Sequence, residues 1–420
     1  MVPPVVVSTG VDPAKLYYSQ KIQQKYRTDA PDNRLAKKAE PEADIQFNPD
    51  LDTFLARSAK RTLAGGLEKA VPNGWPASLS GRLAWKGSNF EDESSFIYRL
   101  SDEEKEEISR ALSWFKDQEL DGNDVSAENF PLPTLAPRLA AVSEEVYNGL
   151  GAVILRGLDV DQFSPPDLAT VFLGVSSYIA RKRGVQDRNG TMIKHLMDNG
   201  AADSQAELPL HTDVTCDIVA TLTRQCSTEG GMCTIASSWT IYNELAATRP
   251  DLIHVLARPD WPFDTFGREP PYYNRALLFY TDGKAILNFS RRVLTGHPYE
   301  PRSQSIPRLS EAQADALDSV HYIAKEHQMK LTMEKGDMRF INNTGLLHGR
   351  EAFFDNGREK SKRHLLRLWL HDEEKAWTLP PALRLAWARV FEDDERVTRW
   401  DIEPVRVNGV LMCRSSSPCD

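Results

Sequence analysis

The 420-residue chain contains only five cysteines, an odd number, with no CxxC pair and no zinc-ribbon spacing. Cys216, Cys226, Cys233, Cys413 and Cys419 therefore make no disulfide framework, and a reducing compartment, the cytoplasm, is expected. Long apolar runs are missing too: none approaches the about 20 residues that cross a bilayer, so no membrane partner is expected. The opening "MVPPVVVSTG" lacks a basic leader and a long apolar core, which predicts no signal peptide. Positive charge is not in excess either. With 51 Lys and Arg against 60 Asp and Glu, the net charge is −9, which excludes a general nucleic-acid-binding face but allows a local basic pocket. No internal repeat or low-complexity tract occurs, and Gly230-Gly231 is not a phosphate loop, because no lysine or helix start follows.

What the chain does have is 41% hydrophobic and 26% charged residues, enough for a large buried core. Residues 1–75 are polar and turn-rich; "DAPDNRLAKKAEPEAD" reads as a solvated connector, and "NPDLDTFLARSAKRTLAGGLEKA" as one helix ending near Gly65-Gly66. Residues 76–148 form a helical leader. There Ser101 caps a helix whose Ile108, Leu112 and Phe115 recur at helical spacing, and another helix ends at Gly149 or Gly151. From 149 to 372 the pattern changes. "AVILRGL" is a buried strand, and "SPPDLATVFLGVSSYIA" is a helix capped by Ser164. Many short strands follow: "IKHLMD", "DIVATLTRQ", "MCTIASS", "ALLFYTD", "KAILNFS", "MRFINN" and "HLLRLWL". "IYNELAATRPDLIHVLA" and "LSEAQADALDSVHYIAKEHQ" are helical insertions. Short strands with few helices between them predict a barrel or sandwich. Residues 373–420 add a helical extension and a frayed tail, "RSSSPCD".

His211 and Asp213, in "AELPLHTDVTC", make the only His-x-Asp triplet. On extended backbone, residues two apart project to one side, so an imidazole and a carboxylate can meet at one point. Two histidines and one carboxylate in a facial arrangement are the ligand set of non-haem Fe(II) oxygenases; an ordinary turn between buried strands is the alternative. His348 follows a strand and a loop in "EKGDMRFINNTGLLHGREAF" and supplies a second imidazole. In "SKRHLLRLWL", Arg363, Leu365, Arg367 and Trp369 share one strand face. Two arginines pointing into an apolar interior need an anionic partner, and a dicarboxylate such as 2-oxoglutarate supplies it. Reaching to solvent or pairing with a local Asp or Glu is the other reading.

In the order "HTDVT", "GGMCTIASS", "GDMRFINNTGLLHGR", "RHLLRLWL", the chain resembles the taurine/2-oxoglutarate dioxygenase superfamily, and in particular its clavaminate-synthase-like, fungal-type members. The resemblance runs from about Gly149 to Trp369. It implies a mainly β fold with helices, a double-stranded β-helix (jelly-roll) core with helical N- and C-terminal elaborations. It also implies Fe(II), 2-oxoglutarate as cosubstrate, and O2, with hydrogen abstracted from a substrate C–H bond as 2-oxoglutarate becomes succinate and CO2. His211, Asp213 and His348 become the iron ligands, Arg363 the partner of the distal carboxylate of 2-oxoglutarate, and Arg367 a second arginine for a substrate or cosubstrate anion. Asn343 matches the asparagine that precedes the distal histidine loop. Relatives place a hydroxyl where this chain has Cys233; Thr234 reaches that place only if the strand shifts by one, which turns it to the other face. Glu207 stands where the taurine enzyme has a polar amide, which points away from a taurine-like substrate and offers a partner for an ammonium. Asp213 itself argues against halogenation.

A small carboxylate or amino-acid substrate is thus expected, with hydroxylation, desaturation or oxidative cyclisation such as aziridine formation as outcomes in secondary metabolism. His195, Phe340 and Asn342 are candidates to line the pocket. His254, His321 and His327 read as surface residues on helical insertions, His364 as pointing away from the pocket, and His297 as a loop residue. Lid loops are expected around 180–205 or 262–275, from their Gly and Pro content. A non-enzymatic jelly-roll binding protein and a zinc hydrolase using the same ligands remain as alternatives.

Overall fold

The computed structural model describes residues 20–26, 41–187, 189–198, 205–267, 270–355, 362–404, 406–407 and 410–411. Most of the connector, Cys413, Cys419 and the tail lie outside the described residues. Two sheets form the centre. The larger contains β1 (Ile97–Arg99), β2 (Ala152–Arg156), β3 (Lys182–Gly184), β4 (Lys194–Met197), β6 (Ile218–Gln225), β9 (Met338–Asn342) and β11 (His364–His371). Its order is β1-β2-β9-β6-β11-β3, with β4 also paired to β11. The smaller joins β5 (Leu208–His211), β7 (Cys233–Ser237), β8 (Met329–Leu331) and β10 (Leu346–Arg350) in the order β8-β7-β10-β5. Apart from the parallel pair β1-β2, these ladders are antiparallel. The molecule is mainly β with helices, a jelly-roll with helical additions.

Each sheet is covered on its outer face by helices. The larger sheet carries α2 (Asp102–Asp117), α3 (Ala136–Asn148) and α4 (Pro165–Ser177). Their apolar faces, Ile108, Phe115, Leu139, Val146 and Phe172, close over Val153, Ala220, Leu222, Phe340 and Leu368 of the sheet. The Ser101 side chain takes the N–H of Glu104, and the Glu104 carboxylate takes the N–H of Ser101, so two of the first-turn donors of α2 are satisfied. Behind the smaller sheet lie α5 (Ser238–Thr248), α6 (Pro250–Ala257) and α7 (Glu311–His327), packed on Leu210, Ala236 and Leu347. The single helix expected over 241–257 is two. Arg249 leaves helical geometry before Pro250, whose missing N–H cannot continue the ladder.

α1 (Leu51–Ala64) lies across α7. Arg57, buried, donates to Asp318 at 2.7 Å and Glu311 at 3.0 Å, so this helix is fastened by charge as well as by packing. α8 (Pro381–Phe391) follows the last strand of the larger sheet. Among the described residues no helix is long and apolar enough to cross a membrane.

Candidate metal centre

β5 ends at His211, β10 carries His348, and the two histidines stand directly opposite each other in the ladder. Their rings are 4.5 Å apart between centroids. Two residues beyond the end of β5, Asp213 turns back toward them: its Oδ1 lies 3.9 Å from His211 Nε2 and 3.8 Å from His348 Nε2. All three donor atoms fall within 4.8 Å of one another, and among the described residues this is the one group of three or more His, Cys, Asp or Glu that can hold a metal. An ion bound at about 2.1 Å reaches donors up to twice that far apart, so these separations suit a single ion.

The surroundings prepare each donor. His211 Nδ1 faces the Pro209 carbonyl at 2.9 Å, which places the proton there and leaves Nε2 as the lone-pair donor. Burial pushes both imidazoles below their ordinary value, more strongly at His348, where the His211 ring adds to it; the neutral form, which binds metal, is thereby favoured. Asp213 is opposite in sense. Burial raises its carboxyl, but the Arg367 guanidinium and the two histidines outweigh that and bring it to about 2. Its second oxygen, Oδ2, accepts from Arg367 Nη1 at 2.9 Å and from Trp369 Nε1 at 2.7 Å. One oxygen is therefore tied back and the other is presented.

The backbone of Asp213 is held by Asn343. Its Oδ1 accepts from the Asp213 N–H at 2.7 Å, and its Nδ2 donates to the Asp213 carbonyl at 2.6 Å and the Cys216 carbonyl at 2.8 Å. Asn288 Nδ2 also reaches the Asp213 carbonyl, at 3.3 Å, and Asn288 is itself fixed by the buried Arg275. Arg275 ends a hairpin formed by Trp261–Asp264 and Tyr272–Arg275. The segment expected as a lid at 262–275 is thus, over its described residues, a paired ribbon that buttresses the site. Of the other expected lid, 180–205, residues 188 and 199–204 lie outside the described residues; its described part contributes β3 and β4.

A cavity of about 250 Å³ opens onto the three donors, a size for small acids rather than bulky ligands. Arg363, Leu365, Arg367 and Trp369 all line it, as the shared strand face requires. Arg367, expected to meet a ligand anion, spends Nη1 on Asp213 and Nε on Gln186 Oε1 at 2.8 Å, so its first task is to orient a carboxylate of the protein itself. Cys233 lines the cavity and Thr234 does not, because successive side chains on β7 face opposite ways. Glu207 stands at the rim, half-exposed and 3.4 Å from Lys325.

Three expected lining residues are displaced by one position. Phe340 is fully buried in the helix-covered core, not in the cavity. Asn342 points the same way and organises a turn, accepting from Thr344 and Gly345 and donating to the Tyr147 carbonyl. The side chains on the inner face of this strand are its neighbours, and Arg339, which sequence reasoning passed over, lines the cavity. Likewise His195 turns away to face His364 Nε2 at 2.8 Å and the Asp401 carbonyl at 2.7 Å, while Lys194 lines the pocket. His364 is buried on the far face of its strand. His321 and His327 are buried, not surface residues, because α7 is enclosed between α1 and the smaller sheet. His254 is partly buried against the Ala70 carbonyl. His297 is a loop residue that also lines the cavity mouth, its ring 4.5 Å from Phe47. Strand alternation puts Arg339 on the face opposite Phe340, but the sequence alone does not say which of the two faces is inner.

Residues 116–369 match the family described as "Taurine catabolism dioxygenase TauD, TfdA family". The match begins earlier than the Gly149 read from the sequence. The chain is 36% identical over 344 residues to the taurine hydroxylase-like protein SAT17 of Stachybotrys chartarum, covering 78% of this chain and 89% of that protein. It is 27% identical over 313 residues to FR-33289 synthase of Streptomyces rubellomurinus, covering 70% and 91%. Among solved structures, an asparagine oxygenase in complex with Fe(II), 3-hydroxyasparagine and succinate shares the fold at a TM-score of 0.52 and 15% identity, over 66% of this chain and 93% of that one. A binding protein or a zinc hydrolase built on the same three ligands is set aside by these relatives. The chain belongs to the TauD, TfdA dioxygenase family and is an Fe(II)/2-oxoglutarate-dependent oxygenase.

Proposed function

We propose that this oxygenase acts on a small amino acid or amino-acid-derived carboxylate, with His211 Nε2, Asp213 Oδ1 and His348 Nε2 holding Fe(II) and Arg363 holding the distal carboxylate of 2-oxoglutarate. The carrying observation is the charge of the cavity. Its lining has two acids, Asp213 and Glu207, against seven basic residues, Lys194, Arg291, Arg292, Arg339, Arg350, Arg363 and Arg367. Arg291 is paired with Asp318, Arg292 with Glu300 and Arg367 with Asp213, and basic side chains still outnumber acidic ones around the donors. A small enclosed pocket with that balance favours anionic ligands. Iron held by these three residues would supply the oxidative chemistry, in which 2-oxoglutarate and O2 give succinate and CO2 as a substrate C–H bond is broken.

The chain's own residues do the rest. Arg367 and Trp369 hold Asp213 ionised and turned, so the carboxylate presents one oxygen, Oδ1, beside His211 and His348. Leu365 and Val219 supply apolar wall, and Glu207 at the mouth offers a partner for an ammonium. Solved neighbours of the fold hold hydroxylated amino acids, 3-hydroxyasparagine in one case and (3S)-hydroxy-L-Arg in another, which supports the substrate class. The outcome is hydroxylation, desaturation or ring closure, in secondary metabolism. Succinate release measured across a panel of aliphatic and polar amino acids is the test. Substrate-dependent succinate above the uncoupled background is expected for at least one; a flat panel refutes the amino-acid assignment.

A further inference from the structure

Strand register places four side chains in one row on the inner face of the larger sheet. Arg339 stands opposite Thr221, Thr221 opposite Arg367, and Arg367 opposite Lys194. All four line the cavity. Neighbouring strands are about 4.8 Å apart, so Arg339 begins about two strand spacings from Arg367, which touches Asp213.

Arg339 is only 6% exposed, yet its Nε and Nη1 are buried with no hydrogen-bond partner, and Thr221 Oγ1 beside it is in the same condition. A guanidinium stranded in this way is costly unless a ligand meets it. No carboxylate of the lining is available: Asp213 is held by Arg367 and Trp369, and Glu207 sits at the rim beside Lys325. Arg339 and Arg363 line the same cavity, and Arg339 is close enough for its charge to act on Arg363. Burial first, and Arg339 with it, pushes the Arg363 guanidinium below its ordinary value, against the opposing pull of Cys233. Two like charges facing one small volume require an anion between them. The third group there, the Cys233 thiol, is a weak donor and cannot anchor a carboxylate by itself.

We propose that Arg339 is a second cosubstrate-binding arginine, sharing the distal carboxylate of 2-oxoglutarate with Arg363 beside Cys233. This rests on the assignment of Arg363 to that carboxylate. A carboxylate has two oxygens and about four lone-pair sites, enough for two guanidinium groups. The arrangement replaces a neutral hydroxyl contact by a charged one and favours a dicarboxylic oxo acid over a monocarboxylic one.

The experiment is an anaerobic titration of the full-length Fe(II)-loaded protein with two oxo acids, read by the visible charge-transfer band and by calorimetry. 2-Oxoglutarate has the distal carboxylate; 2-oxobutyrate has the same chelating head without it. Arg339→Gln is expected to weaken 2-oxoglutarate about 10- to 100-fold, the loss of charge-assisted hydrogen bonds, and to leave 2-oxobutyrate unchanged. Arg339→Lys, which keeps charge but not the fork, falls between and carries the test should the glutamine variant not fold. Wild-type affinity for 2-oxoglutarate in both variants, with Arg363→Gln impaired, overturns the shared clamp alone. No band for the wild type with either acid overturns the cosubstrate assignment and the clamp with it. Loss of both oxo acids equally in Arg339→Gln also refutes the proposal, because it places Arg339 at the chelating end.

Discussion

Replacing Asn343 by alanine removes three hydrogen bonds at once. The Asp213 N–H and the Cys216 carbonyl lose their bonds to Asn343, and the Asp213 carbonyl keeps only the 3.3 Å contact from Asn288. Asn343 is fully buried, so water does not replace what is lost without opening the structure. Each buried group that loses its bond costs about 1–3 kcal/mol; the Asp213 N–H and the Cys216 carbonyl together give about 2–6 kcal/mol. That is a large part of the about 5–15 kcal/mol by which a domain is stable. The carboxylate would also lose the backbone anchor that aims Oδ1, and disturbed outer-shell partners lower metal affinity about 10- to 100-fold. Asn343→Asp separates geometry from bonding: it keeps the shape and one acceptor but sets an anion against two carbonyls, so it is expected to be at least as damaging as alanine at neutral pH. Urea unfolding of the apoprotein and anaerobic Co(II) titration by its visible spectrum measure the two effects. Stability lowered by less than about 1 kcal/mol with unchanged Co(II) affinity would refute the view that Asn343 builds the Asp213 corner.

Trp369→Phe removes one charge-assisted bond to Asp213 Oδ2 while keeping most of the ring, and should cost about 1.5–3 kcal/mol of apoprotein stability, read by urea unfolding. Arg367→Leu removes the main influence that lowers the Asp213 carboxyl, so metal binding should fail at a higher pH than in the wild type; Co(II) titrations from neutral to acid pH report the shift. Acid stability follows from the buried histidines. His364 and His321 are each depressed to about 3, first by burial and then by neighbouring positive or imidazole groups. Their folded-state values lie below the unfolded one, so their contribution is complete above about pH 6.5 and is lost as pH falls toward 3, by about 2 kcal/mol per group between pH 6.5 and 5. His364→Gln should flatten that slope in unfolding curves taken at a series of pH values, and an unchanged slope would count against it. Mn(II) at 100 times its dissociation constant should raise stability by about 2.7 kcal/mol, an effect that His348→Ala removes.

Much of this protein is local, and local information was readable. Ser101 and Ser164 cap their helices, Gly149 ends another, and the strands from Ile218 to Gln225 and His364 to His371 announce themselves by apolar, β-branched content. The facing of Arg363, Leu365, Arg367 and Trp369 into one cavity follows from a period of two along a strand and needs nothing else. His211 and Asp213 were legible as a pair by their spacing, although Asp213 lies beyond the end of the strand and reaches the site by turning back.

Contacts between distant segments were not. That His348 stands opposite His211 depends on how two strands far apart in the chain pair, and no periodicity within either encodes that register. Phe340 and Asn342 were assigned to the cavity because their own strand does not say which of its two faces is inner; the helices over the larger sheet decide it, and they select Phe340 for the core and leave Arg339 inside. A one-residue difference reverses every side chain of a strand, which is also why Lys194 and not His195 lines the pocket. Arg367 shows the same division. The sequence by itself determined that a guanidinium enters the interior, but only the tertiary structure brought Asp213 to it, because a buried charge takes the nearest opposite charge that folding provides.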